Sequence, residues 1–148
     1  MLVNFEPMGK VKKYTLNIED EVEFEVFGLS TPFADYRLAW ALNDKLEFKF
    51  EKSSDPLSIF DRKTKQMKSF QQFSFIDDEN LTQILLLKNK QGNQIVTADH
   101  GKMDFFLIIK NNFTIDTNKL LTQLRNTNGI VAAFKLEQNN FDFIEEMN

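Results

Sequence analysis

The segment Met103-Asp-Phe-Phe-Leu-Ile-Ile-Lys110 is the most apolar run in the sequence that is still short enough to form a single strand. Side chains alternate between the two faces of a strand, so its odd-numbered residues share one face and its even-numbered residues the other. Both faces are mainly apolar, which is typical of a strand that is covered on both sides. We therefore predict that this segment is the central strand of a sheet and that the rest of the chain packs around it.

Alternation of apolar and polar residues predicts further strands along the chain. These predicted strands are, in chain order, residues 14–18, 22–26, 46–50, 69–76, 82–88 and 130–136. Residues 77–80 are predicted to be the turn of a hairpin between two of them. Residues 57–68 show no regular pattern, and we expect Leu57, Ile59 and Phe60 to anchor this segment to the core.

A first helix is predicted to begin at Ser30-Thr-Pro32 and to run to about residue 44. Thr31 is a suitable N-cap, and Pro32 suits the first helical position. The apolar arc of this helix is wide, because it includes Tyr36 and Trp40 as well as a leucine stripe. We therefore expect the helix to bury itself against the sheet and one further element.

A second helix is predicted after an N-cap at Thr114 or Asp116, and Asn128-Gly129 is expected to end it. The predicted elements include two strand–helix–strand units that flank a hairpin. Helices that follow strands of one sheet through right-handed crossovers fall on the same face. We therefore predict an α+β fold, a two-layer sandwich with a mostly antiparallel sheet, two helices on one face, and ferredoxin-like character with extra strands.

Length and composition restrict the class of protein. A chain of 148 residues predicts a single domain over 1–148, with 1–10 and 139–148 as candidate flexible ends. A net charge of −4 without a dense basic cluster disfavours a general nucleic-acid binder. The absence of cysteine excludes disulfides and zinc–thiolate sites. No signal-peptide pattern or apolar run of about 20 residues occurs, so we expect a cytoplasmic protein without membrane contact.

The residues that could perform chemistry are few and scattered. His100 is the only histidine, and one histidine without cysteine cannot form the usual zinc site, so we expect an exposed loop residue. The acidic residues 77–80 lack the spacing of a calcium loop, and no glycine-rich phosphate loop occurs. We therefore expect no catalytic residue, no metal and no cofactor, and do not expect an enzyme.

The most informative polar and aromatic residues lie on the first predicted helix. One interpretation makes them a corner of the core, in which Arg37 pairs with the carboxylate of Asp104 or Asp35. The other makes them a binding surface, since tyrosine, tryptophan and arginine dominate interface hot spots. We favour the first, and expect Asn43 to be hydrogen-bonded for structural reasons. The candidate binding residues are Asp35, Tyr36, Arg37, Trp40, Asn43 and Asp104.

Residues 26–43 resemble the start of a small bacterial family called IPExxxVDY, as do the acidic strand before them and the strand at 103–110. In that family a helix reading roughly Asp-Tyr-Arg-Leu-x-Trp-x-x-Asn follows a glycine-containing strand. The matching residues here are Asp35, Tyr36, Arg37, Leu38, Trp40 and Asn43. The motif that names the family falls on residues 97–105, where Asp104 is retained and Thr97, Ala98, Asp99, Met103 and Phe105 differ. The resemblance implies a cytoplasmic protein of the Bacteroidetes type and implies no activity.

Three functions are compatible with these observations. The first is a small non-catalytic interaction module that binds a protein partner or itself, the latter as a homodimer joined through an open sheet face or an edge strand. The second is an RNA-associated accessory factor that stacks bases on exposed rings of a sheet face. The candidate rings are Phe73, Phe75, Phe105 and Phe106. The third is an enzyme that uses scattered carboxylates. We favour the first.

Overall fold

The computed structural model describes residues 24–61, 64–138 and Phe141. The predicted strand at 14–18, the first part of the one at 22–26, and nearly all of the two candidate flexible ends lie outside these residues.

The described residues form ten strands and two α-helices. The strands are β1 (Phe24–Ser30), β2 (Glu51–Lys52), β3 (Leu57–Asp61), β4 (Gln66–Phe70), β5 (Gln72–Asp77), β6 (Thr82–Lys88), β7 (Lys90–Gln91), β8 (Gln94–Ile95), β9 (Phe105–Lys110) and β10 (Ala132–Leu136). Helix α1 (Asp35–Leu46) follows β1, and helix α2 (Thr117–Arg125) follows β9. A short 3-10 turn at Ala98–His100 precedes β9.

Six of these strands form one sheet in the order β10-β1-β9-β6-β5-β2, and every neighbouring pair is antiparallel. Strand β9 lies inside the sheet between β1 and β6, and all six of its residues are buried. The prediction of a central strand covered on both faces is therefore confirmed, and the fold is α+β with an antiparallel sheet.

Two separate cores form because the side chains of β9 alternate. Phe105, Leu107 and Ile109 belong to a first core, together with Leu38 and Leu42 of α1 and Leu120 and Leu124 of α2. Phe106 and Ile108 belong to a second core, together with Leu57 and Ile59 of β3, Phe70 of β4 and Phe141. Burial of each such side chain contributes about 1.5–3 kcal/mol, so both cores stabilise the sheet substantially.

The β3–β4 hairpin occupies the segment in which the sequence shows no regular pattern. Leu57 and Ile59 are buried, so their predicted role as anchors is confirmed. The prediction for Phe60 is wrong, because successive strand residues point to opposite sides and Phe60 is 50% exposed. The predicted strand at 69–76 is interrupted at Gln71, where β4 ends and β5 begins. The hairpin with its turn at 77–80 is confirmed as β5 and β6.

The predicted strand at 46–50 is wrong. Helix α1 continues to Leu46, and Glu47 then adopts the left-handed conformation with φ 59°. The Asn43 side chain donates to the carbonyl oxygen of Phe50 at 3.1 Å and accepts from its amide at 2.8 Å. Both groups that Phe50 would give to a sheet ladder are therefore used by a side chain, and pairing with β5 begins only at Glu51.

Of the three predicted helix caps, one is confirmed and two are wrong. The N-cap of α1 is Ala34 rather than Thr31, and no side chain caps this helix. The N-cap of α2 is Asp116, whose carboxylate accepts from two amides of the first turn. This helix ends at Arg125, so Gly129 lies in the following loop and does not end the helix.

Candidate functional site

The outer side of α1 carries two large exposed aromatic residues. Tyr36 is 70% exposed and Trp40, one helical turn later, is 68% exposed. Leu38 and Leu42 on the opposite side are fully buried in the first core. The expectation that Tyr36 and Trp40 form a buried corner is therefore wrong, because α1 packs on one side only.

Arg37 lies beside this aromatic pair. Its guanidinium group lies over the ring of Phe33, 4.2 Å from the ring centroid. Such cation–π contacts contribute about 0.5–1 kcal/mol at exposed sites. Phe33 in turn packs on the backbone of Gly129, where the ring leaves no room for a Cβ. The α2–β10 loop therefore supports the ring on which Arg37 rests. We call Tyr36, Arg37 and Trp40 the α1 surface.

The predicted ion pair between Arg37 and Asp104 or Asp35 is wrong. Among the described residues no carboxylate forms an ion pair with Arg37. Asp35 is the first residue of α1, and its carboxylate accepts from the backbone amide of Tyr36 at 2.7 Å. A carboxylate at this position is favoured by the helix dipole. Neither predicted carboxylate therefore occupies the guanidinium group of Arg37.

Asp104 joins the loop after β1 instead of pairing with Arg37. Its carboxylate accepts from the amide of Thr31 at 2.9 Å, and its own amide donates to the carbonyl oxygen of Leu29. The Thr31 hydroxyl donates to the Gly129 carbonyl oxygen at 2.6 Å and accepts from the Phe33 amide. Three loops therefore meet at Thr31, directly before α1. Asp104 positions this corner.

The candidate site residues consequently divide into two groups. The structure brings Asp35, Tyr36, Arg37 and Trp40 together on the exposed first half of α1, and Asp104 supports the loop that leads into this helix. Asn43 is directed to Phe50 and serves the structural role expected of it. Sequence reasoning missed the contact between Phe33 and Arg37, because Phe33 precedes the N-cap of α1 and helical spacing does not describe its position.

The other candidates have structural roles. His100 is half-buried rather than exposed, and its ring stacks on Phe141 with centroids 5.7 Å apart. Asp77 accepts from the Asn80 side chain, and chiefly for this reason the pKa of its carboxyl group is lowered. Within the described ranges no three residues of the metal-binding types cluster. Of the four proposed stacking rings, Phe105 and Phe106 are buried, and Phe73 and Phe75 pack against the first core.

A polar groove lies at the β2 edge of the sheet. It is lined by Glu51, Lys52, Ser53, Ser54, Asp55, Gln72 and Ser74. Two of its hydroxyl groups, those of Ser53 and Ser74, bond to each other at 2.8 Å. The groove is open to solvent and is lined only by polar and charged residues, which is unlike most small-molecule sites. No motif in the sequence indicated it.

Comparison with known proteins found no match: no family model, no curated protein and no solved structure is similar to this chain. No helix in the described part of the chain is both long and apolar enough to cross a membrane.

Proposed function

We propose that this protein is a non-catalytic interaction module that binds a protein partner through the α1 surface. The observation that supports the proposal is the exposure of Tyr36 and Trp40, at 70% and 68%, one turn apart on a helix whose opposite side is buried. Large exposed aromatic side chains are typical of binding surfaces, because they bury much area at a low cost in conformational entropy.

The chemistry of the surface favours one kind of partner. Tyr36 and Trp40 present apolar ring area, and Arg37 presents guanidinium donors that no described carboxylate engages. The guanidinium group lies over the Phe33 ring, and its planar fork of donors suits bidentate bonding to a carboxylate. The proposed partner is therefore a protein segment with an apolar side chain next to an aspartate or glutamate.

The RNA alternative is less well supported than a protein partner. Base stacking requires exposed rings, whereas Phe105 and Phe106 are 2% and 0% exposed. The exposed rings of α1 lie on a helix whose two acidic residues, Asp35 and Asp44, balance Arg37 and Lys45, and Glu47 follows it directly. This segment therefore has no excess of basic side chains, which binding to a nucleic-acid backbone would require. A protein partner is consistent with both observations.

We further infer that the fold is ferredoxin-like, with both helices on one face of the sheet. This inference is supported by the order β10-β1-β9-β6 within the sheet, by the positions of α1 after β1 and α2 after β9, and by their shared core. Strands β2 and β5 and the β3–β4 and β7–β8 hairpins are then additions. Membership of the IPExxxVDY family and a cytoplasmic location stay predictions.

Photo-crosslinking in the native host tests the proposed binding surface. A photoreactive residue at position 44, one turn beyond Trp40 and exposed, should give a discrete protein adduct that withstands ribonuclease. The same residue at position 67 on β4, which is also exposed, should not give this adduct.

Two variants complete this test. Trp40→Ala and Arg37→Glu should each reduce the adduct at least tenfold. Trp40→Ala should leave the melting temperature unchanged, because the side chain is exposed, and Arg37→Glu should cost no more stability than the cation–π contact with Phe33, about 0.5–1 kcal/mol. Phe60→Ala, which removes an exposed ring elsewhere, should have no effect. An adduct that persists in Trp40→Ala, or that disappears with ribonuclease, would overturn the proposal.

A further inference from the structure

Strand β10 is one of the two outermost strands of the six-stranded sheet. Within the described residues it bonds to β1 on one side and to no strand on the other. The opposite edge, β2, is only two residues long, whereas β10 has five. An edge of this length presents a row of backbone donors and acceptors that another strand can use.

The hydrogen-bonding direction of β10 can be assigned residue by residue. In an antiparallel ladder the amide and carbonyl of one residue point towards the same neighbour, and successive residues alternate. Leu29 directs its carbonyl towards β9, where it accepts from the Asp104 amide. Its partner Ala133 therefore directs its backbone groups away from β1. The Arg125 side chain agrees with this, because it donates to the Ala133 carbonyl oxygen at 3.0 Å. Lys135, two residues further along the strand, also directs its backbone groups away from β1.

Phe134 is the residue between these two outward-facing positions. It is opposite Gly28 on β1 and is 47% exposed. Its ring is therefore a large apolar group on an edge strand. Like Leu136, it lies on the face of the sheet that carries the second core.

We propose that β10 pairs with β10 of a second copy of this chain, antiparallel, about a two-fold axis at Phe134. This register aligns Ala133 with Lys135 of the second copy, so that both outward-facing residues exchange hydrogen bonds. Phe134 then faces Phe134 of the second copy in a non-hydrogen-bonded pair, where side chains are closest and aromatic pairs are favourable.

The register is also compatible with the charges and with Arg125. Lys135 faces alanine rather than a second lysine, and its ammonium group already lies 3.4 Å from a carboxylate oxygen of Glu25 in its own chain. The Ala133 carbonyl oxygen has two lone pairs, so it can accept from both Arg125 and the second copy. This surface is distinct from the α1 surface, so the proposal does not depend on the function proposed above.

The interface is short, so the expected dimer is weak. An interface formed by one five-residue strand from each copy falls in the transient class, with dissociation constants on the order of micromolar. Sedimentation velocity over a range of concentrations should show the mass of the 17.4 kDa chain doubling as concentration rises. If the mass stays that of a single chain at every protein concentration up to about 1 mM, the proposal is overturned.

Charge variants at position 134 test the two-fold register. Phe134→Lys and Phe134→Glu each place like charges opposite each other, so each alone should be monomeric. An equimolar mixture should restore a dimer, because the charges are then opposite. The same two substitutions at Phe60, an exposed residue of β3, should leave dimerisation unchanged. A mixture at position 134 that stays monomeric, or variants there that still dimerise alone, would overturn the proposal.

Cysteine scanning provides a second test, because the natural chain has no cysteine. In the proposed register Phe134→Cys should form an intermolecular disulfide rapidly under mild oxidation, since the two 134 positions face each other at disulfide distance. Lys135→Cys should crosslink at least tenfold more slowly, because that position faces Ala133 of the second copy. Equal crosslinking at both positions would contradict the register.

Discussion

At the scale of single residues, Gly129 determines how the loop after α2 supports the α1 surface. Its φ is +93°, a conformation that side chains other than glycine rarely adopt. A Cβ at this position would overlap the Phe33 ring. The ring that supports Arg37 can therefore pack closely only because this residue has no side chain.

Gly129→Ala should consequently destabilise the protein through two additive effects. The left-handed backbone costs about 1–2 kcal/mol, and the overlap with Phe33 costs about 1–3 kcal/mol more. Gly92→Ala is the matched control, because Gly92 also has a positive φ but a Cβ added there would meet nothing within 4 Å. Urea denaturation should show the larger loss for Gly129→Ala, and equal losses would contradict the close packing on Phe33.

Asn43 is a second residue whose role depends on its position. Its amide group satisfies both backbone groups of Phe50, which is 6% exposed. Asn43→Ala would leave those groups without the partners they have here, at a cost of about 2–4 kcal/mol. Asp44→Ala, on the exposed side of the same helix, should change the free energy of unfolding by less than about 0.5 kcal/mol. Similar values for both variants in urea denaturation would show that the Asn43 bonds contribute little.

At the scale of elements, β9 places a lysine in a buried position at its end. Lys110 is 3% exposed, and burial lowers the pKa of its ammonium group below the ordinary 10.5. Between the lowered pKa and 10.5 the unfolded chain binds more protons than the folded chain at this residue. This titration therefore makes the free energy of unfolding rise with pH across that interval.

Lys110→Met removes this contribution. We expect the free energy of unfolding of the variant to rise less with alkaline pH than that of the natural chain. Lys88→Met is the control, since Lys88 is the exposed last residue of the neighbouring strand β6. Denaturation curves at a series of pH values up to 10.5 measure the slopes. An unchanged slope in Lys110→Met would contradict the lowered pKa.

Elements defined by local alternation could be predicted from the sequence, whereas those defined by distant contacts could not. Strand β9 and the β5–β6 hairpin were predictable because their apolar patterns are local. The 46–50 segment alternates equally well, but the bonds from Asn43 to Phe50 prevent ladder pairing there. The β3–β4 hairpin was missed because only Leu57 and Ile59 of β3 belong to the second core, which is too short an alternation to stand out.

The candidate site was predictable in its residues but not in its environment. Helical periodicity placed Tyr36 and Trp40 on one side of α1 correctly. It could not show whether an element covers that side, because periodicity within a helix carries no information about its neighbours. The exposure of both rings depends on α1 packing against the sheet through its Leu38 and Leu42 side alone.

At the scale of the whole molecule, the two cores of the sheet are closed in different ways. The first core includes side chains from two helices that are continuous with the sheet strands in sequence. The second is closed by the β3–β4 hairpin together with Phe141, which follows the last strand of the sheet. Phe141 is fully buried, with its ring 5.1 Å from that of Phe106. A distant part of the sequence therefore completes this core.

Phe141→Ala should open the second core while leaving the first intact. Loss of a buried phenylalanine costs about 3–5 kcal/mol. The stacked ring of Phe141 lies nearly parallel to His100, with an interplanar angle of 14°, so its ring current should shift the imidazole protons upfield. His100 is the only histidine, so these protons can be assigned without ambiguity in a one-dimensional NMR spectrum.

In Phe141→Ala the imidazole protons should move downfield, whereas Phe113→Ala, which removes a 75% exposed ring, should leave both the shifts and the stability unchanged. If the imidazole shifts stay the same in Phe141→Ala, the Phe141 ring does not stack on His100.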